Sequence, residues 1–237
     1  MKETLLKVKN LKVKANGKEI LRGINLEIRK KEVKALLGPN ASGKSTLANV
    51  ILGNPKYKIE KGKIFFERKD ITKYSPERRA KLGIALTWQS PPEVKGVKLS
   101  QLLEKISKKK VKIENGESLL EREVNVNFSG GEKKVSELIQ VLSLNPQLVI
   151  LDEIDSGLDI KRIEKVAKII KEKLIKKGVS ILLITHQGQI LNYLRPNSTL
   201  VMFKGKIICQ SKNYKKVLKT IKKYGYEKCR KCKFFSG

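Results

Sequence analysis

The sequence predicts an α/β protein with a mostly parallel β-sheet, an N-terminal antiparallel β region and a short inserted helical subdomain. Three observations predict this class. Strand-like and helix-like segments alternate along the chain, as they do around parallel sheets. The apolar runs 148–151 and 181–184 have no polar face, which is typical of central strands. The length, 237 residues, suits a single domain spanning 1–237.

The first half of the chain carries most of the strand signals. Apolar residues alternate with polar ones in 5–14 and 24–28, which predicts half-buried strands. A buried strand over 33–37 leads through a glycine-containing loop into a helix with the body 47–52. Another buried strand is predicted over 84–87.

The second half continues the alternation and holds the insertion. Residues from about 97 to 126 are polar and helical in character, which predicts the inserted subdomain. A helix then follows Gly131, and another over 160–177 stops at Gly178. A buried strand over 180–184 follows, so one domain with one insertion is the simplest organisation.

The charge balance limits the class of partner. Lysine and arginine number 53 against 23 acidic residues, a formal net charge of +30. Such an excess is typical of a lysine-rich proteome with solvated faces, or of a protein with an acidic or nucleic-acid partner. An aromatic content of 5% offers few stacking platforms, which disfavours nucleic acid. The apolar runs are too short to cross a bilayer, so a cytoplasmic protein is expected.

A phosphate-binding loop is the strongest motif. Residues 38–45 match G-x-x-x-x-G-K-[ST] between a predicted strand and a predicted helix. Inward-facing N–H groups and a helix N-terminus suit phosphates, while Lys44 reaches the β- and γ-phosphates and Ser45 offers its hydroxyl to Mg²⁺. The predicted ATP-binding residues of this loop are Gly38, Pro39, Asn40, Ala41, Ser42, Gly43, Lys44, Ser45 and Thr46.

Two carboxylates follow the buried strand 148–151. Asp152 and Glu153 come at its carboxyl end, where ligands bind in open α/β sheets. Adjacent acids after a strand are often only a helix cap, but a phosphate loop makes the pair significant. Asp152 is predicted to hold Mg²⁺, and Glu153 to orient or deprotonate the attacking water.

A second anion-binding helix end is encoded by the segment 128–132, Phe-Ser-Gly-Gly-Glu. One chain already has its own phosphate loop, so this end is predicted to contact the γ-phosphate bound by another chain. Two chains related by a two-fold axis would then enclose two ATP molecules. The predicted residues are Ser129, Gly130 and Gly131, and the predicted assembly is an ATP-dependent homodimer.

These motifs, in this order, resemble the ATP-binding cassette (ABC) superfamily over nearly the whole chain. The resemblance implies an ABC-type P-loop NTPase fold and Mg²⁺-dependent ATP hydrolysis. It implies that Gln89 contacts Mg²⁺ and water, that His186 contacts the γ-phosphate, and that the loop 156–159, with Asp159, crosses between subunits. Ala41 stands where glycine is commoner, which matters only if the position needs a positive φ.

Several strings resemble the SufC subfamily, the ATPases of iron–sulfur cluster assembly. The clearest is 151–160, where Asp155 and Gly157 follow the Suf-type pattern and transport cassettes usually have Thr and Ala. This resemblance implies a partner that is a SufB/SufD-like scaffold, docked on residues 89–97 and the subdomain. The interval between Gln89 and Ser129 is shorter than is usual for the subfamily.

Two other functions share the same ATP chemistry. The chain could be the ATP-binding subunit of an ABC membrane transporter, or a ribosome- or nucleic-acid-associated cassette protein that the +30 charge would suit. The latter mostly carry two cassettes, whereas this chain has one.

The chain end contains a C-x₂-C pair within a basic tail predicted from about 226 to 237. Cys229 and Cys232 could supply two of the four thiolates of a zinc or iron site, with the remaining ligands from another chain. The alternative is an unremarkable tail.

Overall fold

The computed structural model describes residues 3–107 and 117–231. Within them a six-stranded sheet forms the centre. In spatial order its strands are β12 (Lys206–Ser211), β11 (Ser198–Phe203), β3 (Val33–Leu37), β10 (Ser180–Thr185), β9 (Leu148–Asp152) and β6 (Ile84–Thr87). All pairs are parallel except β11 with β12. Strands β3, β6, β9 and β10 are buried along their whole length, as the apolar runs predict.

An antiparallel sheet lies at the N-terminal side. Its strands, in the order β2-β1-β4-β5, are β1 (Thr4–Ala15), β2 (Lys18–Arg29), β4 (Lys58–Phe66) and β5 (Lys69–Asp70). Its apolar side chains pack with residues of β3, β9 and β10 in one core cluster. The predicted α/β class, with a mostly parallel sheet and an antiparallel region, is confirmed.

The described residues form eight α-helices. They are α1 (Lys44–Leu52), α2 (Pro76–Lys81), α3 (Leu99–Ile106), α4 (Glu117–Leu120), α5 (Gly130–Ser143), α6 (Ile160–Ile170), α7 (Leu191–Leu194) and α8 (Tyr214–Tyr224). Helix α6 continues as a π-helical turn, Lys171–Ile175, instead of remaining α-helical to 177. Helix α5 begins at Gly130, two residues before the predicted start.

Helix α1, which follows the phosphate loop, is closed at its C-terminus by a buried arginine. Arg79 of α2 is 1% exposed and donates hydrogen bonds to the carbonyl oxygens of Val50 and Ile51. It also donates to the carbonyls of Thr72 and Tyr74. These bonds satisfy carbonyls that a helix end leaves unpaired, although burial lowers the pKa of Arg79 to about 10.

The insertion is a small helical layer with its own core. Strands β7 (Val94–Lys98) and β8 (Glu123–Val124) pair, and α3 and α4 lie between them in sequence. Leu99, Leu119, Val124 and Phe128 pack on Ile139 of α5. Residues 108–116 of the predicted 97–126 segment lie outside the described residues.

The described part of the predicted tail from about 226 is folded and packs on the core. Glu227–Lys231 form a 3₁₀ helix, and Tyr226 and Cys229 pack on the core between α8 and the central sheet. Apolar burial of these two side chains outweighs the solubility of the neighbouring lysines. In the described ranges no helix is long and apolar enough to cross a membrane.

Candidate active site

The predicted site residues gather at one edge of the central sheet. The neighbouring strands β3, β10, β9 and β6 are parallel, so their carboxyl ends lie side by side. The phosphate loop follows β3, His186 follows β10, Asp152-Glu153 ends β9 and Gln89 follows β6. This is the edge where ligands bind in open α/β sheets.

The phosphate loop is held in a conformation that depends on glycine. Gly43 has φ 107°, a value that L side chains rarely adopt. A Cβ on Gly38 would lie 2.4 Å from the Met202 carbonyl oxygen and 2.7 Å from Ser42 Oγ. Ala41 has φ 59°, so the position does require the left-handed conformation, and alanine there costs about 1 kcal/mol relative to an unstrained residue.

Gly38→Ala should therefore disrupt the loop. Because the nearest obstacle is backbone, we expect a loss of about 1–3 kcal/mol in the free energy of unfolding, together with weaker ATP binding. Denaturant unfolding and nucleotide titration measure the two effects. Gly130→Ala is the stability control, since nothing lies within 4 Å of its Cβ position. Equal stability of the two variants would contradict the steric argument.

Lys44 folds back on its own loop in this structure. Its Nζ donates to the carbonyl oxygens of Gly38 (2.9 Å) and Pro39 (3.0 Å) and lies 3.8 Å from Glu153 Oε1. Burial lowers the pKa of Lys44, and the nearby Glu153 and Asp152 partly offset this. The ammonium group thus stands inside the loop, next to both carboxylates.

Glu153 is the centre of the polar cluster. Gln89 Nε2 donates to its Oε2 at 2.6 Å, and His186 Nδ1 lies 3.4 Å from its Oε1. The carboxylate is 6% exposed, and the residue has φ 50°. A buried, strained, non-glycine residue at the end of a sheet strand is typical of a functional position.

Asp152 and the phosphate loop each have a buried oxygen without a hydrogen-bond partner. In the described part of the chain, Asp152 Oδ1 and Ser42 Oγ are buried without a hydrogen-bond partner. Burial raises the pKa of Asp152, while the Ser45 hydroxyl beside it lowers it. Buried polar groups without partners are rare, and a cation with bound phosphate oxygens would satisfy both. The residues present therefore fit a Mg²⁺–nucleotide complex.

Sequence reasoning missed two buried charges on α5. Lys134 Nζ donates to the carbonyl oxygens of Gln89 (3.1 Å) and Glu153 (3.2 Å), and Glu137 accepts the Trp88 N–H at 2.9 Å. Burial lowers the pKa of Lys134 and raises that of Glu137. Their i, i+3 spacing places both on one helix face, but only their burial shows that they tie α5 to the Gln89 loop.

The second predicted anion site, at the start of α5, is exposed and lies next to α6. Ser129 caps α5 in a capping box with Glu132, and Ser129 and Gly130 are exposed. Ser129, Gly131 and Glu132 line a surface cavity with Arg162 and Lys165. Asp159 caps α6 and pairs with Arg162 at 3.3 Å. The structure thus brings Ser129, Gly131 and Asp159 together around Arg162.

Of the predicted metal pair, the structure describes only Cys229. Its side chain is 2% exposed within an apolar cluster. No three His, Cys, Asp or Glu side chains of the described residues come together as a metal-binding group. Cys232 lies outside the described residues.

The fold and the loop define a phosphate-binding α/β ATPase. A family model described as ABC transporter matches residues 21–156, more than half of the chain. The chain therefore belongs to the ABC family and is an ATP-binding, ATP-hydrolysing cassette.

Relatives and solved structures agree with this membership. The chain is 41% identical to the probable ATP-dependent transporter ycf16 of Antithamnion sp., over 94% of this chain and 96% of that one. It is 37% identical to vegetative protein 296 of Bacillus subtilis (strain 168), over 88% of this chain and 87% of that one. A nucleotide-free ATP-binding cassette from an ABC transporter superposes with a TM-score of 0.79 at 26% identity, covering 95% and 98%. An ATP-binding cassette of an ABC transporter in its ADP conformation superposes with a TM-score of 0.77 at 27% identity, again covering 95% of this chain and 98% of that one.

Proposed function

We propose that this chain is a Mg²⁺-dependent ATPase that closes as an ATP-bound homodimer and drives conformational change of a soluble SufB/SufD-like scaffold in iron–sulfur cluster assembly. The observation that carries the Suf-type role is Asp155. It stands where transport cassettes usually have Thr, and its carboxylate is 2% exposed and accepts a hydrogen bond from Thr185 Oγ1 at 3.0 Å. This bond supports the proposal, because Thr185 directly precedes His186 in the chain.

The residues of the site divide the chemistry among them. Ser45, Asp152 and Gln89 would hold Mg²⁺, which neutralises charge on the phosphates when bound. Lys44 and the loop N–H groups bind the β- and γ-phosphates, and His186 contacts the γ-phosphate. Glu153 orients the attacking water and takes its proton. In the resting state Glu153 is held by Gln89 and Lys44, so nucleotide entry must exchange these contacts.

The docking surface of this proposal is the segment after β6. Trp88 is 43% exposed and Val94 is 39% exposed, both unusually high for large apolar side chains. The start of the segment is tied to α5 through Glu137 and Lys134. A movement of Gln89 on ATP binding would therefore move an exposed apolar surface and the helix behind it.

Val94→Asp should weaken scaffold binding at least tenfold without changing ATP affinity, because it places a charge in an apolar contact. Val94 is a sharper test than Glu93, whose carboxylate pairs with Lys133 of α5 at 3.0 Å. Leu144→Asp is the matched control, since Leu144 is also 43% exposed but lies at the other end of α5.

The measurement is capture of the native partner from a cell extract, followed by titration of the purified partner. The proposal expects a soluble protein that binds an iron–sulfur cluster, seen by its visible absorbance. Equal scaffold binding by Val94→Asp and wild type would contradict the proposal that this segment is the docking surface.

The second candidate is the ATP-binding subunit of an ABC transporter. It is favoured by the names of the relatives, which include a probable ABC transporter ATP-binding protein of Streptococcus pyogenes at 37% identity. An integral membrane permease as the captured partner would establish this candidate and overturn the Suf-type role, while leaving the ATPase in place.

A further inference from the structure

The loop that carries His186 is fastened by the C-terminal end of the chain. Tyr226 Oη donates a hydrogen bond to the His186 carbonyl oxygen at 2.9 Å, across forty positions in sequence. The Tyr226 ring is half-buried, and burial raises the pKa of its hydroxyl, so it stays a donor at neutral pH. The bond therefore fixes the backbone of the residue whose imidazole lies beside Glu153.

A second contact comes from the same part of the chain. Gly188, two residues after His186, has φ 72°, and a Cβ there would lie 2.6 Å from Leu218 Cδ2 of α8. Leu218 thus packs directly on the loop backbone. Leu218 of α8 and Tyr226, which follows α8, therefore hold the loop at two points, one apolar and one polar.

The C-terminal segment is itself anchored firmly. Cys229 is 2% exposed in the core cluster that also includes Val217 and Cys209, and its N–H bonds the Tyr226 carbonyl at 3.1 Å. Tyr226 is therefore fixed from both sides, by the end of α8 and by Cys229.

The opposite side of the loop is fastened to Asp155, through Thr185. Thr185 Oγ1 donates to Asp155 and accepts the N–H groups of Gln187 (3.2 Å) and Gly188 (3.0 Å). Both neighbours of His186 in the chain, Thr185 and Gln187, are thus hydrogen-bonded, and Tyr226 supplies the bond to the carbonyl of His186 itself.

We infer that Tyr226 is a positioning residue for hydrolysis, acting through His186, and that the C-terminal segment 214–231 sets the placement of this histidine. The inference rests on the proposed role of His186 at the γ-phosphate. It assigns a function to a part of the chain that the sequence motifs leave unused. Imidazole placement affects the transition state more than ATP binding, so kcat changes and KM does not.

Tyr226→Phe removes one hydroxyl and keeps the ring. We expect kcat to fall about three- to tenfold, the factor that corresponds to one neutral hydrogen bond, with KM for ATP unchanged. The control is Tyr224→Phe, a change of the same kind at a side chain that is 52% exposed. In a His186→Ala background, Tyr226→Phe should have no further effect, because residues that act through one another are non-additive.

His186 is the only histidine in the chain, so its imidazole gives a single set of resonances. These should shift in Tyr226→Phe and not in Tyr224→Phe, whether or not His186 takes part in hydrolysis. Unchanged resonances in Tyr226→Phe would overturn the positioning. Shifted resonances with normal kcat would support the contact and instead overturn the proposed role of His186. An equal loss of kcat in the His186→Ala background would show that Tyr226 acts by another route, against the inference.

Discussion

Glu153→Gln is expected to slow ATP hydrolysis by about 10²–10⁴-fold, the usual contribution of a general base, while MgATP still binds. The substitution keeps the shape of the side chain and removes its ability to accept a proton. Gln89, Lys44 and His186 surround the Glu153 carboxylate at distances of 2.6–3.8 Å. None of these three side chains is a carboxylate, so none of them replaces Glu153 as the proton acceptor. The variant should accumulate as an ATP-bound dimer.

The measurement is steady-state hydrolysis together with ATP titration and size analysis with and without nucleotide. Glu172→Gln is the control, because Glu172 is on the surface of the π-helical turn and pairs only locally with Lys176. Turnover at the wild-type rate by Glu153→Gln would remove the residue from the catalytic role. A loss of ATP binding would assign it to binding instead.

The parts of the site that depend on local sequence were predictable. A phosphate loop needs fixed residues between a strand and a helix, and a buried central strand is an apolar run in the sequence. The positions of Lys44, Asp152 and Glu153 therefore follow from local pattern alone. Helix capping by Ser75, Ser129 and Asp159 follows from the same local rules.

Contacts made between distant segments were not predictable. Lys134 and Glu137 read as charges on a helix surface, yet they are buried against the Gln89 loop. Tyr226 and Cys229 are surrounded by lysines in the sequence, which favoured the interpretation as a basic tail. Two buried side chains are too few to produce a periodic pattern that would indicate packing. In each case tertiary burial reversed what local composition indicates.

Backbone conformation was a third feature that the sequence did not predict. The substitution of alanine for glycine at Ala41 was visible in the sequence, but whether it mattered depended on φ, which is 59°. The positive φ of Glu153 had no signal at all, since glutamate is common in helices and strands alike. Strain of this kind is imposed by the surrounding fold, here by the bond from the Glu153 N–H to the Ile184 carbonyl at 2.9 Å.

Ser129→Arg should abolish hydrolysis in a pure sample, and mixing it with Lys44→Ala chains should restore part of the activity. Ser129 and Gly130 are exposed at the start of α5, while Lys44 is buried with Glu153 at the sheet edge. If the two regions meet only across a dimer, an arginine at Ser129 blocks the approach of the other chain's γ-phosphate. Lys44→Ala removes the phosphate contact within its own chain.

A heterodimer of these two variants has one site with an intact phosphate loop and an intact Ser129, and one site with both defects. Random mixing gives heterodimers in half of the population, each with one of two sites, so roughly a quarter of the wild-type activity is expected if the sites act independently. ATP-dependent dimer formation is measured on the same mixture, because a site that needs its partner's turnover would recover dimerisation before activity. Ser129→Arg chains that dimerise and hydrolyse ATP normally by themselves would rule out the predicted contact of Ser129 with the other chain's γ-phosphate.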